Sequence, residues 1–136
     1  MDIATSMMVA ASGMRAQAAR MRTIAENIAN ANSTATTAGG EPYRRKLATM
    51  NSHFDHELGA SLVEGGTPKP DMTEFRSQYD PGNPLADKTG YVKMPNVNPL
   101  VEIMDMREAQ TSYEANVNVM DASKTMYSRT INLLTA

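Results

Sequence analysis

The sequence predicts a mainly α-helical chain. Long N- and C-terminal helices form a coiled-coil-like pair, joined by an irregular middle segment with a few short β-strands. Three observations predict it. All seven prolines and seven of the eight glycines lie between Ser33 and Pro99. Proline lacks a backbone donor and clashes inside a helix, so long helices belong to the two ends. Both ends also carry apolar residues at alternating steps of three and four, the spacing of a helical seam. Finally, Met is abundant at twelve while aromatics are scarce, with five Tyr, two Phe and no Trp. Flexible, polarizable Met suits adaptable helix contacts better than one dense globular core. The 136 residues fit one domain's length. They divide into an N-terminal helix over 1–32, an extended segment with short strands over 33–99, and a C-terminal helix over 100–136. The two helices share one terminal-helix domain.

The first helix is expected from Ile3 to Ala31, about 43 Å at about 1.5 Å per residue. Steps of four and three from Ile3 reach Met7, Ala10, Met14, Gln17, Met21, Ile24, Ile28 and Ala31, apolar at all but Gln17. Asp2 suits an N-cap or first-turn acid. Gly13 lies in a patch of small residues, Ala10, Ala11, Ser12 and Ala16. It marks either the close approach of a neighbouring backbone or a tolerated glycine on an exposed face. Asn27, Asn30 and Asn32 end the helix. Asn tolerates left-handed geometry and caps helix C-termini. Asn27 and Asn30 also share one face and could bond across to another chain.

In the middle, turn signals fall at Gly39-Gly40, Gly65-Gly66, Asp80-Pro81-Gly82 and Thr89-Gly90,. Short extended pieces fit Tyr43–Met50, Glu74–Tyr79 and Tyr91–Met94, and residues 51–72 are expected to be least ordered. His53 and His56, with Asp55 and Glu57, match no strong metal-ligand spacing,. They are taken as a polar, solvated loop. Arg44-Arg45-Lys46 could meet an acidic neighbour or a phosphate, but a solvated face is preferred.

The second helix is expected from Leu100 to Thr135. Steps of three and four from Ile103 reach Met106, Gln110, Tyr113, Val117, Met120, Lys124, Tyr127, Ile131 and Leu134. Pro99 suits the approach to its first turn. Gln110 and Lys124 interrupt the seam, as register-fixing polar residues or as side chains reaching solvent. Two such helices alone make a thin core, which favours an oligomer.

Composition removes several functions. Thirteen basic against fifteen acidic residues give a formal charge of −2, no attraction for nucleic acid or an anionic membrane. The absence of cysteine excludes disulfides, thiolate metal sites and a Cys nucleophile. No phosphate loop, dinucleotide fingerprint or nucleophile elbow occurs. No catalytic, cofactor-binding or metal residue is assigned, and no cofactor is expected. No apolar run is long enough to span a bilayer. Met1-Asp2-Ile3 lacks the basic start of a secretory signal,.

Particular residues go beyond periodicity. Ala11-Ser-Gly-Met-Arg-Ala-Gln17, followed by Ile24-Ala-Glu-Asn-Ile-Ala-Asn-Ala31, resembles the N-terminal signature of bacterial flagellar rod and hook proteins. Gly40-Glu-Pro-Tyr-Arg-Arg-Lys46 is similar to the segment that follows in one branch. Tyr79-Asp-Pro-Gly-Asn-Pro-Leu-Ala86, Gly90-Tyr-Val-Lys-Met-Pro-Asn-Val97 and Ser112-Tyr-Glu-Ala-Asn116 resemble the FlgC family of proximal-rod proteins of the flagellar basal body. The resemblance implies a non-enzymatic structural subunit of the rod, which crosses the periplasm as a torque-transmitting shaft. It implies export through the flagellar type III apparatus without a cleaved signal. It also implies packing of the terminal helices with other rod proteins and copies of the same chain. Where the wider family often has an Asn pair, this chain has Glu26-Asn27, so no role of the first amide carries to position 26.

The expected subunit interface comprises Met7, Gly13, Met14, Met21, Ile24, Asn27, Ile28 and Asn30 of the first helix. From the second it takes Tyr113, Asn116, Val117, Met120, Tyr127 and Ile131. Gly90, Tyr91, Pro95 and Asn96 would shape the connecting arm. The alternative is a soluble coiled-coil adaptor or a type III secreted effector that binds one partner protein through the same seam.

Overall fold

The computed structural model describes residues 2–135. Helix α1 (Ile3–Ala29) and helix α2 (Pro99–Thr135) bracket six short strands. These are β1 (Lys46–Leu47), β2 (Met50–Asp55), β3 (Ala60–Gly65), β4 (Lys69–Pro70), β5 (Arg76–Tyr79) and β6 (Tyr91–Met94). The strands form three separate antiparallel ladders, β1–β4, β2–β3 and β5–β6. Two long helices around a middle of short strands is the architecture the patterning predicts.

The helix ends follow local chemistry. At α2, the Leu100 N–H donates to Asn98 Oδ1 at 3.1 Å and the Glu102 N–H donates to the Asn98 carbonyl. Asn98 is thus the N-cap, and Pro99 fills the first helical position, where no N–H is needed. At the end of α1 the backbone tightens through Ala31 N–H to the Ile28 carbonyl and Ser33 N–H to the Asn30 carbonyl. Among the described residues only glycines have positive φ, so this end closes without a left-handed asparagine. Asn30 instead donates from Nδ2 to the Glu26 carbonyl and accepts from Ser33 Oγ.

Residue contacts divide the chain into two units, and each long helix contributes to both. One gathers α1 through Met21, Thr49–Thr67 and α2 from Arg107; the other gathers Arg22–Ala48 and Pro68–Met106.

In the first unit the helices run antiparallel. Arg20 meets Glu108 at 3.3 Å, while a Cβ built on Gly13 would lie 2.8 Å from Asn116 Nδ2. Gly13 therefore marks a close approach, made by a side chain of the same chain. Ala10, Ala16, Ala109 and Ser123 are buried, and small side chains at such positions let helices pack closely. The row that α2 turns inward runs through Ala109, Asn116 and Ser123. The three-and-four steps from Ile103 run instead through Gln110, Val117 and Lys124, one position away. Tyr113 and Met120 belong to both rows. The bulkier count misses that a tight helix pair prefers small residues at its centre.

The expectation of least order over 51–72 is corrected. β2 and β3 form a six-pair hairpin, from Met50↔Gly65 to Asp55↔Ala60. Its four-residue loop is built by Asp55, whose Oδ1 accepts the N–H groups of Glu57 and Leu58. The loop closes at Gly59, whose φ of 61° is available to glycine at no steric cost. The hairpin rests on α1. Val63 N–H donates to Ser12 Oγ at 3.3 Å, and a Cβ on Gly65 would stand 2.7 Å from that of Ala19.

In the second unit, Ile24, Ala31, Val92, Pro95 and Val97 are buried. β5 and β6 fall within the extended pieces read from the sequence over Glu74–Tyr79 and Tyr91–Met94. Gly90, at φ 86°, lies so near Tyr79 that a Cβ would meet Tyr79 Cε2 at 2.9 Å. The Tyr79 and Tyr91 rings pack edge to face at 5.2 Å.

Candidate functional site

Two features stand out: a polar clasp in the second unit and an exposed apolar face on α2 in the first.

The clasp is built on Asn27, in the last turns of α1 and 1% exposed. Its Nδ2 donates to the Lys46 carbonyl at 2.8 Å, and its Oδ1 accepts the Lys46 N–H at 2.9 Å. The side-chain amide thus pairs with strand β1 as a neighbouring strand would. Nδ2 also donates to Glu102 Oε2, and Oδ1 also accepts from the Tyr43 hydroxyl. All four bonds open to an amide are filled. The Asn27 amide has nothing left to offer a neighbouring subunit, and its place is inside the chain.

Glu102, 0% exposed, is the second pole. Its Oε1 accepts from Arg45 Nε at 2.5 Å. Arg45 also reaches Asp71 at 3.3 Å and Asp105 at 3.7 Å. The planar guanidinium suits several acceptors at once. Partial burial opposes the charge of Arg45, but the bond to Glu102, its attraction and then Asp71 outweigh it, and the pKa is raised. Asn96 ties in the arm before α2. Its Oδ1 accepts the Arg45 N–H, and its Nδ2 donates to the carbonyls of Asp71 and Thr73. Burial raises the Tyr43 pKa above 10.0, which keeps the phenol a donor.

The basic triplet is accordingly not the solvated face expected. Arg44 stacks over Phe75 at 4.2 Å and donates to the Asp71 carbonyl, Arg45 sits in the clasp, and Lys46 pairs with Glu26 at 2.8 Å. A signal for the clasp did exist. Glu102 is the single acid in the apolar run Leu100-Val-Glu-Ile-Met104, and an acid there needs a buried partner.

The clasp makes a pH dependence. Backbone hydrogen bonding from Thr73 holds Asp71 below its ordinary 3.8, against burial, and the Thr73 hydroxyl and Arg45 add to it. The lowered native pKa contributes stability that is present above about pH 4 and lost as pH falls through it. Asp87, held down first by the Thr89 hydroxyl and then by the Tyr91 N–H, acts in the same direction. The urea midpoint should therefore fall as pH is lowered from about 4 toward the depressed native pKa of Asp71, and Asp71→Asn should flatten that fall.

The apolar face belongs to α2. With Gly13 opposite Asn116, the start of α1 at Ile3 lies opposite about Met126. Beyond that point α2 has no α1 beside it. Tyr127, Ile131 and Leu134 continue the same helical face as Asn116, Met120 and Ser123, and they are 58%, 41% and 82% exposed. Met14, Tyr113 and Met120 line a shallow groove of about 280 Å³ with Ala11, Arg15 and Ala18. Met7, Met21, Ile28, Asn30 and Val117 are half-buried, and Ile24 is buried. Among the arm residues, Pro95 is buried, Asn96 is in the clasp, and Gly90 and Tyr91 shape the β5–β6 turn.

No group of three His, Asp or Glu side chains that could hold a metal occurs among the described residues. His53 and His56 are exposed on the hairpin, His56 against the Phe54 ring. Among the described residues no helix is long and apolar enough to cross a membrane.

Known proteins resemble this chain along nearly its whole length. Residues 7–35 match the family described as "Flagella basal body rod protein", and residues 88–133 match "Flagellar basal body rod FlgEFG protein C-terminal". The chain is 48% identical to the flagellar basal-body rod protein FlgC of Agrobacterium fabrum, over 94% of this chain and 92% of the relative. It is 36% identical to FlgC of Aquifex aeolicus, over 96% of each. It is also 36% identical to FlgC of Bacillus subtilis, over 94% of this chain and 95% of the relative.

Proposed function

The chain belongs to the FlgC family of flagellar basal-body rod proteins, and we propose how it serves as a structural subunit of that rod. The assembly surface is the inward face of α2 where it outruns α1. There Tyr127, Ile131 and Leu134 stand exposed on the face that is packed elsewhere. That one observation carries the reading, because apolar side chains aligned on a helix face gain by burial against another helix. The partners are other rod proteins and further copies of this chain. Helices stacked in this way resist shear and transmit torque along the shaft. The role is structural and not catalytic: Asn27 and Arg45 both bond to Glu102 and hold the middle segment onto both helices. The rod passes through the periplasm, and the subunit reaches it through the flagellar type III export apparatus without loss of a signal peptide.

Deleting the protein from a flagellated cell tests this. Loss of every axial structure beyond the inner-membrane ring, restored by the intact gene, is the expected result. Filaments that persist in the deletion strain would instead support a soluble adaptor.

A further inference from the structure

The edges of the three small sheets are treated very differently. In an antiparallel pair, residues alternate between bonding the partner strand and turning their N–H and C=O outward. A bare outward edge is a template for another strand, and proteins usually guard it. Most edges here are guarded. On β1, the outward groups of Lys46 are both taken by the Asn27 amide. On β4, the residue opposite Lys46 is Pro70, which has no N–H. β3 turns its edge to α1, where Val63 meets Ser12. β6 has Tyr91 tied to Asp87 in both directions, and then Lys93.

Among the described residues, two edges remain open within their own units. Because Val63 N–H leaves its ladder and Gly66 N–H bonds the Thr49 carbonyl, the ladder bonds of β2 fall at Asn51, His53 and Asp55. Met50, Ser52 and Phe54 therefore point their backbones outward, over a strand with no proline, lysine or arginine. On β5, the Asp80 N–H bonds the Gly90 carbonyl, which places Ser77 and Tyr79 outward in the same way. Every residue of β5 is exposed.

We infer that the open β2 edge of one subunit pairs with the open β5 edge of a second copy of this chain. The inference rests on the rod reading and names one contact within it. Two β2 edges meeting each other would form a two-fold contact that closes after two copies. A β2 edge meeting a β5 edge is head-to-tail, leaves a free edge at each end, and so continues along an array. Main-chain hydrogen bonds supply the recognition, as in other strand additions, and Met50 and Phe54 offer apolar contact to Tyr79 beside them.

The chain has no cysteine, so single cysteines report cleanly. Ser52→Cys and Ser77→Cys copies would be co-expressed in flagellated cells, and isolated basal bodies treated with a short bis-maleimide. Cross-linked dimers are expected only when both variants are present. Dimers from Ser52→Cys alone, or none from the mixture, would overturn the pairing while rod incorporation of both variants left the rod reading standing. Absence of the protein from basal bodies would overturn both. Ser52→Pro gives a second test, since position 52 makes no ladder bond and the hairpin tolerates proline at an open edge. Ser52→Lys guards the same edge without touching the backbone. Both variants should keep the helical circular dichroism of the parent and be lost from basal bodies. Parental incorporation of either one would refute the pairing.

Discussion

Arg45→Ala should destabilise the protein by about 3–5 kcal/mol, the usual cost of leaving one partner of a buried ion pair alone. Glu102 is fully buried; without Arg45 its carboxylate would keep only the Asn27 amide. That loss is a large share of the stability of about 5–15 kcal/mol typical of a domain. Arg45→Lys should recover little, because a point charge cannot serve Glu102, Asp71 and Asp105 together. The double change Arg45→Met with Glu102→Leu should recover most of it, since an apolar pair of similar size removes the orphaned charge. Lys46→Ala, at the exposed pair with Glu26, should alter the urea midpoint little. Urea unfolding of the four variants separates these cases. Equal, small losses for Arg45→Ala and Lys46→Ala would mean that the clasp does not hold the unit together.

Ile131→Asp should leave the subunit folded and the cell non-motile. The side chain is already 41% exposed, so the folded state should shift by no more than about 0.5 kcal/mol. In the rod, the same carboxylate would have to be buried unpaired against a neighbour, which costs several kcal/mol per contact and repeats in every copy. Leu134→Asp should behave alike. Ile24→Asp is the contrast, since Ile24 is 4% exposed inside the second unit and its replacement should unfold the subunit itself. Swarming assays with urea midpoints of the purified variants distinguish the two. A motile Ile131→Asp strain would remove Ile131 from the assembly face.

The long helices were legible because proline and glycine placement is a backbone constraint that tertiary packing does not override. Pro99 marked the start of α2 within one residue. Strand β6 was legible for the same reason, bounded by Gly90 and Pro95. The hairpin over Met50–Gly65 was not. Four of the six residues of β2 are polar or charged, so no apolar alternation announces it. Its support comes instead from Ser12 and Ala19 on a helix distant in sequence. The clasp was hidden likewise. Asn27 reads as a helix cap or a bond to another chain and Arg45 as surface charge, because a pairing across 57 residues leaves no local trace beyond the odd acid at Glu102. On α2, apolar spacing found Tyr113 and Met120. It passed over Ala109 and Ser123, whose small size fits them to the centre of a close helix pair, whereas Asn116 was named with the interface residues. Tyr127 and Ile131 were legible as apolar seam positions, and both stand exposed beyond the start of α1.

Thiol accessibility at the end of α2 tests the assembly face most directly. Leu134→Cys would be the chain's single thiol, and its maleimide labelling can be compared between the purified subunit and intact basal bodies. Fast labelling of the free subunit and strong protection in the basal body are expected if the face is covered by neighbouring subunits. Equal rates in the two states would contradict it.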